Sequence, residues 1–116
     1  MKAMLLTLAT LLPTSAFAGA DGEYYCKGNF DTSESMVLVV KVKGQVLEGD
    51  EGRAHVVVRD GRKTLFAGNA VVTTEDVMLW LNATKGRNRL QGTIFMDELD
   101  QTQIELNGEE MNFDCN

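Results

Sequence analysis

The segment RAHVVVRDGRKTLFAGNAVVT, residues 53–73, decides the fold. Ala54, Val56 and Val58 fall on one side of an extended chain, and His55 falls on the other, between Arg53 and Arg59. A period of two is the mark of a half-buried strand. Asp60-Gly61 then interrupts the run, and a second alternating stretch starts at Lys63. Asp-Gly between two such runs signals a hairpin, because a type I′ turn needs positive φ at both central residues. Strands over 53–59 and 63–73 are therefore predicted to pair antiparallel.

The same punctuation continues in both directions. Lys43-Gly44, Lys85-Gly86 and Asn107-Gly108 are further turn pairs, and apolar residues alternate between them. Met36, Leu38, Val40 and Val42 share a face, as do Leu90, Ile94 and Met96, and then Ile104 and Leu106. Strands are predicted near 22–30, 35–43, 45–49, 53–59, 63–73, 77–84, 88–97 and 101–107, with a short terminal strand at 110–115. The count is eight, or nine with the last. No amphipathic helix, internal repeat or low-complexity segment interrupts them, and the one proline, Pro13, precedes them all.

Consecutive short hairpins describe an up-and-down antiparallel sheet. Left open, it would present two bare edges; closing it into a barrel removes them. Two cysteines support closure. Tyr24, Cys26, Gly28 and Phe30 share a face of the first strand, and Met111, Phe113 and Cys115 share a face of the last. If both faces point inward, a Cys26–Cys115 bridge joins the ends of the sheet. The prediction is a small all-β domain, an eight-stranded barrel or barrel-like sheet (nine with the terminal strand), with one disulfide.

An oxidising compartment is implied by the start of the chain. Residues 1–18 combine Lys2, an apolar run from Ala3 to Leu12, and Ala16-Phe17-Ala18, the pattern of a secretory signal peptide cut after Ala18. The reading divides the chain into a leader, 1–18, and one barrel domain, 19–116, with a periplasmic or secreted address. No later stretch is long enough to span a bilayer; the longest apolar run is Met36 to Val40.

The formal charge is −6, and losing Lys2 with the leader makes it −7. An acidic surface repels nucleic acid and anionic membrane, and leaves basic proteins, cations and neutral ligands as partners.

Catalytic chemistry finds little support. His55, the only histidine, lies on the outward face among arginines. No Gly-x-Ser-x-Gly turn accompanies it, and the serines beyond the leader are Ser33 and Ser35. Two bridged cysteines and one distant histidine cannot complete a zinc shell. There is no phosphate-cradling glycine loop and no calcium loop, so neither cofactor nor metal is predicted. Carboxylates cluster at Glu48, Asp50 and Glu51, at Glu75 and Asp76, at Asp97, Glu98 and Asp100, and at Glu109 and Glu110. Each cluster falls at a turn, where solvated acids are ordinary. Asn82-Ala83-Thr84 matches a glycosylation sequon.

Trp80 is the sole tryptophan. Val77, Leu79, Leu81 and Ala83 share one face of its strand, and Met78, Trp80 and Asn82 the other, so neither face is plainly wet. Burial in the core is the ordinary expectation for Trp80; the alternative is an exposed patch with Met78 that anchors a partner. Phe95 and Tyr25 pose the same question.

The run Trp80-Leu81-Asn82-Ala83-Thr84-Lys85-Gly86 resembles the aromatic then Thr/Ser-Lys-Gly motif of periplasmic inhibitors of c-type lysozyme. Tyr24-Tyr25-Cys26 is similar to that family's Tyr-x-Cys start, and Cys115 to its C-terminal pairing cysteine. The resemblance covers about ten residues; Thr73-Thr74-Glu75-Asp76 stands where the family carries a Ser-Gly segment, and the stretch from the Lys-Gly turn to Cys115 is longer than the family's. It implies a bridged eight-stranded barrel whose Lys85 inserts into a lysozyme cleft, with Thr84 and Gly86 shaping the turn.

Together these readings predict a non-catalytic exported binding module, with Thr84, Lys85, Gly86 and Trp80 as partner-binding residues and a basic cell-wall hydrolase such as lysozyme as partner. The alternative is a carrier of a small apolar ligand in the barrel interior, where Gly28, Ala54 and Gly92 would leave space and Phe30, Met36, Met96 and Phe113 would fill it. A hydrolase using turn carboxylates is the third reading.

Overall fold

A computed structural model describes residues 19–20 and 22–116. The expected leader, 1–18, lies outside the described residues. The strands are β1 (Gly19–Ala20), β2 (Glu23–Gly28), β3 (Met36–Val42), β4 (Val46–Leu47), β5 (Glu51–Asp60), β6 (Lys63–Glu75), β7 (Met78–Lys85), β8 (Asn88–Phe95), β9 (Thr102–Leu106) and β10 (Glu109–Asp114), with one 3₁₀ turn at Leu99–Gln101. Eight of them close into an antiparallel barrel in the order β2-β3-β5-β6-β7-β8-β9-β10, each paired with the next barrel strand along the chain, and β10 pairing back to β2. No helix among the described residues is long and apolar enough to cross a membrane.

The alternation sets which side is inside. Leu38, Val40, Ala54, Val56, Val58, Val72, Leu79, Leu90, Ile94, Ile104 and Phe113 are buried in one core. Two buried threonines enter that core with their hydroxyls satisfied: Thr74 donates to the Leu47 carbonyl at 3.1 Å and Thr102 to the Leu99 carbonyl at 3.0 Å. The β9–β10 turn has positive φ at both Asn107 (54°) and Gly108 (88°), the I′ geometry its sequence predicts.

The seam is short. Only Phe113↔Gly28 and Asp114↔Lys27 pair β10 with β2. The Cys26–Cys115 disulfide sits beside these pairs and links the first and last barrel strands across a separation of 89 residues.

Three expectations change. Residues 45–49 do not form a barrel strand: β4 is two residues long and pairs with β1 in a separate ladder, because Val46 folds back onto β5 instead of continuing the sheet. The terminal strand, conversely, is a full member of the barrel. Phe30 does not enter the core, since β2 ends at Gly28 and the backbone turns to φ 53° at Phe30, leaving its ring 67% exposed.

The interior is filled. At Gly92 a Cβ would overlap Ile104 Cδ1 and lie 2.6 Å from the Gln103 carbonyl oxygen, so the glycine admits a neighbouring side chain and opens no space.

Candidate functional site

Because the barrel runs up and down, alternate turns emerge at the same end. The connections β3–β5, β6–β7 and β8–β9 share one mouth with the start of β2 and the C-terminus. Three of the four carboxylate clusters therefore converge: Glu48, Asp50 and Glu51; Glu75 and Asp76; and Asp97, Glu98 and Asp100. The loop and the β6–β7 turn are tied together, with Gly49 N–H donating to the Thr74 carbonyl at 2.9 Å and Asp76 N–H reaching a Glu48 carboxylate oxygen at 3.4 Å. Among the described residues the one ion pair is Arg53 with Glu51, at 4.0 Å on an exposed surface; Lys43, in the β3–β5 connection, is a second cation at this mouth, and the carboxylates outnumber the two. The opposite mouth is mixed: Arg62, Lys63, Lys85 and Arg87 share it with Asp31, Glu34, Asp60 and Glu109.

Trp80 lies near the acidic end of β7. Leu79, Leu81 and Ala83 take the inward positions, so Trp80 faces out and is 44% exposed, which corrects the expectation of a core tryptophan. Register with Thr73 on β6 and Thr93 on β8 holds it on the outer surface. One side of the indole borders a hollow with Glu48, Gly49 and Glu75. Leu47, also exposed, is adjacent to Glu48. The other side borders a groove of about 600 Å³ that crosses the outer face of the sheet.

Lys85 is at the other end of the same strand, so the structure does not bring it together with Trp80. Its ammonium donates to the Ala67 carbonyl at 2.7 Å, and its stem passes over Gly68, whose Cβ would meet Lys85 Cδ at 3.3 Å. Gly86 adopts φ 64° in the β7–β8 turn, and Thr84 is exposed next to it. The lysine of the Thr-Lys-Gly run is thus tied back to the barrel, at the point where β6 and β7 no longer pair.

His55 is exposed on β5 opposite Asn69, as its parity predicts. Among the described residues no group of three His, Cys, Asp or Glu is arranged to hold a metal ion. Tyr25 is exposed on the outside of β2 and donates to a Glu23 carboxylate oxygen; that bond, together with the nearby negative charge, raises its phenol above the ordinary value. Behind it, Val39, Val57 and Ala67 continue an outward apolar row across β3, β5 and β6.

Sequence reasoning identified the individual clusters but not their convergence. The signal was available in the count of turns, since in a strict meander every second turn shares an end. Comparison with known proteins gave no match to a protein-family model, a curated protein or a solved structure.

Proposed function

We propose that this chain is a non-catalytic binding module whose acidic mouth docks a basic protein, with Leu47 and Trp80 as its apolar anchors. The observation that carries the reading is the convergence of three carboxylate clusters on one barrel end beside two exposed apolar side chains. Such a patch steers a cationic partner into encounter, and a half-exposed indole supplies the buried contact that holds it. A Lys or Arg from the partner can sit against the indole face within reach of Glu48 or Glu75. Export to an oxidising compartment agrees with the disulfide, and the partial likeness to inhibitors of c-type lysozyme makes that basic enzyme the first partner to test. The interior, packed with side chains, lends no support to the carrier reading.

The test is calorimetric titration of the oxidised protein with a c-type lysozyme, at about 50 mM and about 0.5 M salt, where screening differs severalfold. The reading expects binding that weakens with salt, weakens again in Glu48→Gln/Glu75→Gln, and is accompanied by loss of lysozyme activity if the occupied surface is the cleft. Absence of binding at low salt removes lysozyme. Binding that is indifferent to salt and to the carboxylate variant removes the acidic mouth as the docking surface.

A further inference from the structure

The groove on the far side of Trp80 has a different chemistry from the acidic mouth. Two neighbouring rows of outward side chains form it. One runs Thr73, Trp80, Thr93 and Gln103 across β6 to β9. The other runs Val71, Asn82, Gln91 and Glu105 across the same strands. Between the rows lies the inward-facing row that contains Gly92, so the floor at the centre is bare backbone.

We propose that this groove binds an uncharged oligosaccharide, with a sugar ring stacked on Trp80 and its hydroxyls held by the amides of Asn82, Gln91 and Gln103. Three observations converge. The indole is exposed on a fixed strand, which gives a flat apolar platform without a loop to order. The three amides are exposed, and neither they nor the Thr73 and Thr93 hydroxyls make a side-chain hydrogen bond among the described residues. An amide both donates and accepts, which matches a hydroxyl, itself donor and acceptor. The groove lining contains no Lys or Arg; Arg53 beyond Val71 is paired with Glu51, Arg89 stands beyond Gln91 outside it, and Glu51, Glu105 and Glu110 along it disfavour phosphate, sulfate and nucleic acid.

Competing occupants fit less well. An extended peptide that adds a strand needs a free sheet edge, and the barrel presents none here. An apolar ligand would leave the amides and hydroxyls without partners on binding. A groove crossing four strands at about 4.8 Å per strand accommodates a chain of a few sugar rings.

The proposal is independent of protein docking at the acidic mouth, although Trp80 borders both. The probes are chitotetraose, cellotetraose and maltotetraose. Because the chain has a single tryptophan, its fluorescence reports on Trp80 directly. Saturable change with at least one probe at millimolar concentration is expected, with affinity reduced roughly tenfold or more in Gln91→Ala/Gln103→Ala. Calorimetry with the same probe should detect no binding to Trp80→Ala, and Glu48→Gln/Glu75→Gln should bind the sugar as the parent does. These sites are outward on the barrel, and circular dichroism verifies that each variant is folded. Failure of all three probes to perturb the tryptophan overturns the proposal. So does binding that survives the loss of both glutamines. Either result leaves the lysozyme titration to be judged by itself.

Discussion

The Lys85 ammonium donates a 2.7 Å hydrogen bond to the Ala67 carbonyl, bridging β7 to β6 where their ladder has stopped after Val71↔Asn82. The bond satisfies a carbonyl that the missing ladder would otherwise have engaged, and the lysine stem packs over Gly68. Lys85→Met keeps the stem and loses the bond; Lys85→Ala loses both. The first is expected to cost about 1 kcal/mol and the second somewhat more, in an equilibrium denaturant titration. A lysine that served only a partner would leave stability unchanged in both variants and lower lysozyme binding alone, which is the outcome that restores the role implied by the family resemblance.

The seam between β10 and β2 rests on two register pairs and one disulfide. Holding residues 89 apart in the unfolded chain, the bridge restricts a loop that in the chain-entropy account is worth about 4–5 kcal/mol. Cys26→Ser/Cys115→Ser should therefore lower the unfolding free energy by a few kcal/mol, a large part of what a domain of this size possesses. The denaturant midpoint is the readout. A drop below about 1 kcal/mol would mean that backbone pairing closes the barrel without help.

How far the fold was legible depends on the length of each alternating run. Residues 53–73 announce two strands and their turn because more than three repeats of period two agree with one Asp-Gly. Val46-Leu47, flanked by Gly44 and Gly49, offers no such repeat. Its conformation is decided by Val46 seating against Gly52, a contact between residues that no local pattern connects. Trp80 was ambiguous because Met78 made the outer face apolar as well; only the pairing of Leu79 with Ile94, both fully buried, settles the side. The Lys85 bond had no signal at all, since it depends on where two strands part.

Gly92 tests how tightly the interior is filled. A Cβ at this position meets Ile104 Cδ1 and the Gln103 carbonyl. Gly92→Ala should cost about 1–3 kcal/mol by overpacking. Ile104→Val removes the clashing Cδ1 and alone should cost about 1 kcal/mol. The two changes together should cost less than their sum, with the carbonyl contact preventing full recovery. Strict additivity in thermal or denaturant unfolding would show that the interior has room the structure does not contain.

Tyr25 carries the pH dependence that the surface predicts. Its phenol donates to Glu23, and both that bond and the carboxylate's charge favour the protonated form, so its pKa lies above the ordinary 10.0. A folded-state pKa above the unfolded one contributes stability that is fully present below the unfolded value and is lost as pH rises through the folded value. The window for this contribution is therefore alkaline. Glu23→Gln removes the charge and the carboxylate acceptor, and should return the Tyr25 titration toward 10.0 in tyrosinate absorbance, with the curve of Tyr25→Phe subtracted to isolate the Tyr25 phenol. If Glu23→Gln leaves the tyrosinate curve unmoved, the Glu23 contact does not persist in solution.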